Sequence, residues 1–308
     1  MNEVNAPEHE SPSRSGGAPG RSGIAVRRVN QNMQQPMEPG IDLPEGGSTF
    51  GTFGDINIIG LWTLYCKEVW RFLKVVTQTV MAPVITTLIF LAIFTLALGR
   101  AGRMVGDLPF LEFLAPGLIM MAIVQNAFAN TSSSIMIAKV QGNIVDYLMP
   151  PLSPGELLFG VVAGGVTRGF LVGTVVWAAM LLFVDVMPQS WILVIAFTLL
   201  ASLMLSLLGF LAALWAEKFD QMAAVTNFVI TPLSFLSGTF YSIQQLPGAV
   251  HAIALANPFF YMIDGVRYGF TGHSDGSIAV GLVFLALVNL GLWFFALRLL
   301  RLGYRLKA

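Results

Sequence analysis

Long apolar runs alternate with short polar connections over most of this 308-residue chain. A helix needs about 20 mostly apolar residues to cross the hydrocarbon core of a bilayer. Runs of suitable length cover residues 81–98, 111–137, 160–184, 191–215, 222–241 and 278–300. The pattern predicts an all-α integral membrane protein with six transmembrane helices.

A segment with helical periodicity precedes the first run and reads IIGLWTLYCKEVWRFLKVV. Its basic residues share one helical face at positions i, i+4 and i+7, and they are Lys67, Arg71 and Lys74. The opposite face carries Trp62, Tyr65, Val69 and Leu73. This division is typical of an N-terminal interfacial amphipathic helix that lies in the lipid headgroup plane. A second interpretation is that the helix also contacts a cytoplasmic partner.

Residues 231–272 are apolar but interrupted by three prolines. Backbone breaks at membrane depth persist only where protein or a water-filled cavity surrounds them. We therefore expect an outer re-entrant helical hairpin between spans five and six. Asn257 and Pro258 suit a helix start within it, because Asn caps helices and Pro is tolerated in the first turn. Asp264 and Arg267 lie three residues apart, a spacing that predicts a local surface ion pair.

Lys and Arg are distributed unevenly among the connections. If both termini are cytoplasmic, thirteen of them lie inside and three lie outside, at Arg100, Arg103 and Arg267. An excess of basic residues in cytoplasmic loops sets the orientation of most multi-pass proteins. The sequence therefore predicts a multi-pass protein with both termini in the cytoplasm.

Composition divides the chain into two parts. Residues 1–54 are rich in Gly, Pro, Ser, Asn and Gln, and so polar a segment cannot bury enough apolar surface to fold. They are predicted to form a disordered cytoplasmic tail, and residues 55–308 the membrane domain. Charged residues make up 11% of the chain, against about 25% in soluble domains. The net charge is zero, so the balance of charge gives no reason to expect nucleic-acid binding.

Small residues recur at helical spacing in two of the spans. The third span has Gly165, Gly169 and Gly173, and the fourth has Ser202, Ser206 and Gly209. Small side chains let helix backbones approach closely in a membrane, so we predict a packing seam.

Polar residues also lie within the spans. Asn126, Asn130 and Ser133 share one face of the second span, and Arg168 lies inside the third. Hydrogen bonding between packed helices and a polar wall of a substrate path both explain the first set. For Arg168 the alternatives are snorkelling, an ion pair with an acid elsewhere in the chain, and a direct role in transport.

Several kinds of activity find little support. The spans carry no carboxylate or histidine near their middle, which argues against an ion-driven transporter. The phosphate-binding motif G-x-x-x-x-G-K-[ST] is absent from the sequence. An intramembrane hydrolase would pair Ser237 with His251 or His273, but FLSG lacks the first glycine of a G-x-S-x-G elbow. We expect neither catalysis nor a cofactor in this chain, so a partner must supply energy for active transport.

Four blocks, in order, resemble ABC-2 type transporter permeases of the bacterial drug and polysaccharide exporter subgroup. They are FLAPGLIMMAIVQNAFAN, DYLMPPLSPGELLFG, AEKFDQM and NPFFYMIDGVRYGFTG. The resemblance covers the chain from about residue 58 to its C-terminus. It implies the transmembrane (permease) subunit of an ATP-binding cassette exporter in the bacterial cytoplasmic (inner) membrane. It further implies pairing with a second copy or a related permease, and cytoplasmic ATPase subunits that bind ATP and Mg.

In this family the loop between spans two and three contacts the ATPase. The resemblance assigns that role here to residues 139–156, with Lys139, Asn143, Asp146, Tyr147, Leu148, Pro151 and Glu156 as coupling residues. Residues 143–148 are expected to form a short helix, and the following prolines a stiff elbow. A plain surface turn is the alternative for this loop. For the whole chain, the alternatives are an ATP-independent secondary transporter and a membrane scaffold or assembly protein.

Overall fold

The computed structural model of the protein describes residues 57–98, 104, 105, 108–245 and 247–304. The predicted tail, residues 1–54, lies outside the described residues. Within the described part, five helices are long and apolar enough to cross a membrane. They are Thr77–Leu96, Phe110–Val140, Pro154–Met180, Trp191–Trp215 and Ile278–Arg301. These helices correspond to five of the six predicted spans and confirm a helical, multi-pass fold.

The first span continues from the amphipathic segment with little interruption. Helix α1 (Ile58–Leu73) and helix α2 (Ala82–Leu98) are separated by a turn at Lys74 and Val75 and by a π-helical turn at Thr77–Met81. The N-cap of α1 is the residue before it, whose side chain accepts the backbone N–H of the third helical residue. Only these two turns separate α1 from the first span.

A short β-hairpin leads into the centre of the bundle. Strands β1 (Met104–Val105) and β2 (Leu108–Pro109) pair in antiparallel fashion. The 31-residue helix α3 (Phe110–Val140) follows and is buried over most of its length. After a turn comes the four-residue helix α4 (Val145–Leu148), which agrees with the predicted short helix in this loop.

Two long helices pack against α3 and against each other. They are α5 (Pro154–Met180) and α6 (Trp191–Trp215). A Cβ added to Gly165 would lie 2.4 Å from the hydroxyl oxygens of Ser206 and Thr131, and one added to Gly169 would lie 2.9 Å from that of Ser202. The predicted seam of small residues is therefore confirmed.

The predicted fifth span has an irregular form. It consists of α7 (Phe219–Val225), a π-helical turn (Thr226–Ile230) and α8 (Thr231–Leu236). Pro232, near the start of α8, donates no backbone hydrogen bond, and its ring would clash with a carbonyl one turn earlier. The wider π-helical turn lies at the position where this conflict must be accommodated.

The interrupted outer segment folds into short helices before the last span. They are a 3₁₀ turn (Ile243–Gln245), α9 (Gly248–Ala256) and α10 (Pro258–Thr271), followed by α11 (Ile278–Arg301). The side chain of Asn257 accepts the backbone N–H of the second residue of α10, at 3.1 Å. The predicted cap at this residue is confirmed. Helix α10 is almost entirely buried against α3, α6 and α11.

Candidate functional site

A glutamate on α1 is buried where α1, α3 and α4 meet. Glu68 is fully buried, on the same face of α1 as Leu64 and Phe72. Its Oε1 accepts the hydroxyl of Ser134 on α3 at 2.6 Å and the hydroxyl of Tyr147 on α4 at 3.0 Å. One carboxylate oxygen thus joins three helices.

Arg71, one turn later, neutralises this carboxylate and extends the contacts along α3. Its guanidinium contacts Oε2 of Glu68 through Nε at 3.3 Å and Nη2 at 3.0 Å. It also donates to the backbone oxygen and side-chain oxygen of Asn130, at 2.8 and 3.0 Å, and to the Ser133 hydroxyl at 3.2 Å. The prediction that Arg71 faces the lipid headgroups is therefore wrong, because its hydrogen bonds are made inside the protein.

The arrangement of α1 explains this error. Helix α1 runs lengthwise beside the start of α5, with Leu64 against Gly160 and Glu68 against Gly164. Its most exposed side chains include the apolar Ile59, Trp62 and Trp70. Lys67 and Lys74 remain exposed, as predicted. The amphipathic pattern is real, but part of its polar face is turned toward protein.

Tyr147 fixes α4 to this glutamate. Its side chain is buried, and the ammonium of Lys67 lies 3.9 Å from the centre of its ring. Burial, followed by the negative charge of Glu68, raises the pKa of Tyr147 to about 12. The hydroxyl therefore stays protonated at physiological pH and donates to the carboxylate. Tyr147 is an inward anchor of the predicted coupling loop, and not part of its outer surface.

The opposite side of this loop is exposed and partly apolar. Val145 is 51% exposed, Leu148 47% and Met149 76%. The polar residues Asn143 and Asp146 lie exposed among them. The four-residue helix α4 thus separates an inner side, bound to α1 and α3, from an outer side available to a partner.

The remaining predicted coupling residues bind the ends of neighbouring helices. The ammonium of Lys139 donates to carbonyl oxygens at the C-terminal end of α6, at 2.6 to 3.0 Å. Glu156 forms a capping box with Ser153 at the start of α5 and accepts the backbone N–H of Asn57 at 2.6 Å. The carbonyl of Pro151 accepts the Asn57 side chain at 3.3 Å. The starts of α1 and α5 are therefore tied to the elbow that follows α4.

Arg168 has an amide for a partner, not an acid. Its Nη2 donates to Oδ1 of Asn126 at 3.0 Å. This bond supports the first of the two explanations for Asn126, which is hydrogen bonding between packed helices. Among the residues that the structure describes, no carboxylate lies within ion-pairing distance of Arg168.

A second buried charge cluster lies in the outer segment. Arg267 is 1% exposed, stacks on the ring of Phe113 at 3.8 Å, and donates to the carbonyls of Phe113 at 3.2 Å and Gly238 at 2.6 Å. Oδ1 of Asp264 accepts the backbone N–H of Asp275 at 2.7 Å. The predicted surface ion pair of Asp264 with Arg267 is wrong: both side chains are buried, and each mainly holds backbone.

Asp275 completes the cluster between two outer connections. Its carboxylate accepts the Ser242 hydroxyl at 2.8 Å and the backbone N–H of Ile243 at 3.1 Å. His273 lies at the rim, with Nε2 3.6 Å from the same carboxylate. We name the hydrogen-bonded cluster around the buried glutamate the inner hub; it consists of Glu68, Arg71, Asn130, Ser134 and Tyr147. The outer clamp means Asp264, Arg267 and Asp275.

Comparison with known proteins assigns the chain to a family. The model of the ABC-2 type transporter family matches residues 60–271. The chain belongs to the ABC-2 type transporter family. It is 40% identical over 218 residues to an inner membrane transport permease, YadH, of Escherichia coli K12, covering 70% of this chain and 85% of that protein. It is 26% identical over 232 residues to nodulation protein J of Rhizobium leguminosarum bv. viciae, covering 74% and 87%.

The geometry of this ABC-2 protein does not favour a hydrolase. The hydroxyl of Ser237 donates to the Leu233 carbonyl and accepts the side chain of Asn257 at 2.9 Å. His273 pairs instead with Asp275. Ser237 therefore serves to cap the broken helix and to hold Asn257, which is a structural role.

Sequence reasoning on this ABC-2 protein missed Glu68. A signal was nevertheless present, because Leu64, Glu68 and Phe72 recur at spacings of four and place one acid in the middle of a buried apolar stripe. An acid at such a position is rarely buried without a partner. Arg71, three residues later, was available as that partner.

Proposed function

We propose that the chain is the transmembrane subunit of an ATP-driven exporter in the bacterial inner membrane. In this proposal it pairs with a second copy or a related permease, and separate cytoplasmic ATPase subunits bind ATP and Mg. This chain forms the substrate path and does not hydrolyse ATP. The observation that carries the proposal is the two-sided coupling loop, exposed and partly apolar outside and bound to the inner hub inside.

The outer side of α4 has the chemistry of a docking surface. Leu148 and Met149 are exposed beside Asp146, at the end of the molecule where α3 ends and α5 begins. Apolar anchors surrounded by polar residues are typical of the centre of protein interfaces. An ATPase docked there would press on α4.

The inner side offers a route for such a movement. Displacement of α4 would act on Tyr147, whose hydroxyl contacts Glu68 on α1 and Ser134 on α3. Because α1 leads almost directly into the first span, the movement would tilt that span relative to α3. The proposal therefore assigns the inner hub the role of passing ATPase movement to the membrane helices.

We also propose six membrane crossings, with both termini in the cytoplasm. Helical structure continues from residue 219 to 236 through the π-helical turn, and 18 residues span about 27 Å. That length approaches the thickness of the hydrocarbon core. The excess of basic residues at one end of the molecule supports the orientation.

The contacts of α10 support a re-entrant outer hairpin. Gly269 lies against Val194 near the start of α6, and Gly265 lies against Phe197, one turn further along. At its beginning, α10 shares the wall of a 760 Å³ apolar cavity with Met204, in the middle of α6. Helix α10 therefore starts beside the middle of a span and ends beside its outer end, as a re-entrant helix would.

Co-purification tests the proposed function. The chain is expressed with candidate ATP-binding cassette ATPases from the same organism, and a complex is isolated through a tag on the ATPase. Leu148→Asp should abolish co-purification, because it places a charge in the docking surface. Met187→Asp is the matched control, since Met187 is exposed in the connection at the other end of α5. A wild-type chain that recruits no ATPase and transports without one would favour a secondary transporter or a scaffold instead.

A further inference from the structure

Arg168 is a membrane-helix arginine with unused hydrogen-bonding capacity. It lies in the middle of α5 and is partly buried. Its sequence neighbours on α5 are apolar or small, and its one hydrogen bond among the described residues is to Asn126. Its Nε is buried without a hydrogen-bond partner there. A cation left in this state inside a membrane protein is costly unless an anion approaches it.

The surrounding charges are predominantly positive. Arg71 on α1 donates to Asn130, one turn from the Asn126 that Arg168 contacts, and Glu68 is the acid beside it. That acid is already shared among Arg71, Ser134 and Tyr147. The α1–α3–α5 seam therefore holds two arginines, Arg71 and Arg168, and one carboxylate whose hydrogen bonds are already made, which favours an anion.

A second unused donor lies in the same seam. Asn130 is fully buried, and its Nδ2 has no partner in the described structure. This nitrogen lies 3.5 Å from the position that a Cβ would take at Gly164, one turn before Arg168 on α5. The oxygen of the same amide is occupied by Arg71. Two unpartnered donors thus face the contact between α3 and α5.

The register of the helices gives the depth of this site. Arg71 contacts Asn130, and the first apolar span begins at Thr77, six residues further along the chain and past the end of α1, or about 9 Å at the rise of a helix. Arg168 contacts Asn126, one turn or about 6 Å from Asn130 in the same direction along α3. Arg168 is therefore nearly level with the end of the first span, where lipid phosphates lie.

We propose that Arg168, with the amide nitrogen of Asn130, binds a phosphate group at the α1–α3–α5 seam. The planar guanidinium suits phosphate oxygens, to which it can offer parallel N–H donors. The phosphate is carried by a lipid headgroup or is free in solution, and the chemistry of recognition is the same. The site does not depend on the proposed transport function, because binding requires neither an ATPase nor turnover.

The test measures thermal stability of the purified protein in lipid nanodiscs. Discs of pure phosphatidylcholine are compared with discs containing increasing phosphatidylglycerol, for the wild type, Arg168→Gln and Arg301→Gln. Arg301 is an exposed arginine in the last turn of α11, so it controls for general attraction to anionic membranes. A parallel series in neutral detergent adds inorganic phosphate, with equimolar chloride as reference.

When phosphatidylglycerol or inorganic phosphate saturates the site, the Tm of the wild type and of Arg301→Gln should rise by about 3 °C or more. The Tm of Arg168→Gln should not rise. A gain with phosphatidylglycerol alone identifies a lipid headgroup, and a gain with inorganic phosphate as well identifies a site for the free anion. If Arg168→Gln does not fold, Arg168→Lys should retain a smaller gain because it keeps the charge and loses the planar donors. An equal gain in the wild type and in either Arg168 variant would overturn the proposal.

Discussion

The inner hub and the outer clamp both bury charge, but they use it differently. In the outer clamp, Arg267 and Asp264 bind mainly backbone oxygens and N–H groups of outer connections. In the inner hub, side chains of α1, α3 and α4 bind mainly one another. Backbone-bound charges hold a single chain path, whereas side-chain pairs can exchange partners when helices shift. From this difference we expect the outer clamp to be rigid and the inner hub to rearrange more easily.

The largest effect is expected in the outer clamp. Arg267→Met should destabilise the fold by about 3–5 kcal/mol, because it leaves the buried carbonyls of Phe113 and Gly238 without their donor. Thermal unfolding and the yield of monodisperse protein measure the loss. Arg298→Met, in the last turn of α11, is the control and should change little. A stable Arg267→Met protein would contradict the rigid role of the clamp.

In the inner hub, Glu68→Gln should cost less stability and more function. The neutral amide keeps the shape but leaves Arg71 without its counter-charge, at a cost of about 2 kcal/mol. ATP hydrolysis by the docked ATPase should continue while transport stops. The double variant with Arg71→Gln should recover part of the stability, and a double-mutant cycle measures the coupling. Equal losses of hydrolysis and transport would argue against a relay through Glu68.

Tyr147→Phe removes one hydroxyl and keeps the ring under Lys67. The expected loss of stability is about 1 kcal/mol at neutral pH. The pKa of Tyr147 is raised from 10 to about 12 in the folded protein, so its contribution is complete below pH 10 and is lost as the pH rises toward 12. The stability difference between wild type and variant should shrink over that range. A difference that stays constant from pH 8 to 12 would show that the hydroxyl does not act in this way.

The smallest effect is expected at the rim of the outer clamp. His273 is partly exposed and 3.6 Å from Asp275, a carboxylate already held by Ser242 and Ile243. His273→Gln should therefore change stability by less than about 0.5 kcal/mol. Thermal unfolding at neutral pH measures it. A loss of stability as large as that of Arg267→Met would contradict the peripheral role of His273 in the outer clamp.

The sequence supported predictions that depend on local spacing. Gly165 and Gly169 contact Ser206 and Ser202 because small residues every four positions form one helix face. Asn257 caps α10 because its side-chain oxygen accepts a free backbone N–H in the first turn of the helix. These outcomes require only the geometry of one helix and the size of its side chains.

Predictions about burial were wrong where the same residue spacing fits both an exposed helix face and a buried one. Asp264 and Arg267 have the spacing of a surface pair, but α10 is surrounded by α3, α6 and α11, and each charge found backbone partners. Arg71 belongs to a basic stripe whose two lysines stay exposed, yet its own guanidinium binds Glu68 and residues of α3. Periodicity identifies the faces of a helix, and only the packing of distant helices decides which face meets water.

The tie between Asn57 and Glu156 has a consequence for biosynthesis. The two residues are 99 positions apart, and the hydrogen-bond partners of Arg71 follow it by 59 and 62 positions. A ribosome adding about 5–20 residues per second needs about 5–20 s to make 99 residues. During that time α1 exists without the helices that later surround its charges. Its amphipathic sequence therefore suits a waiting period at the membrane surface, before the nascent chain supplies α3 and α5.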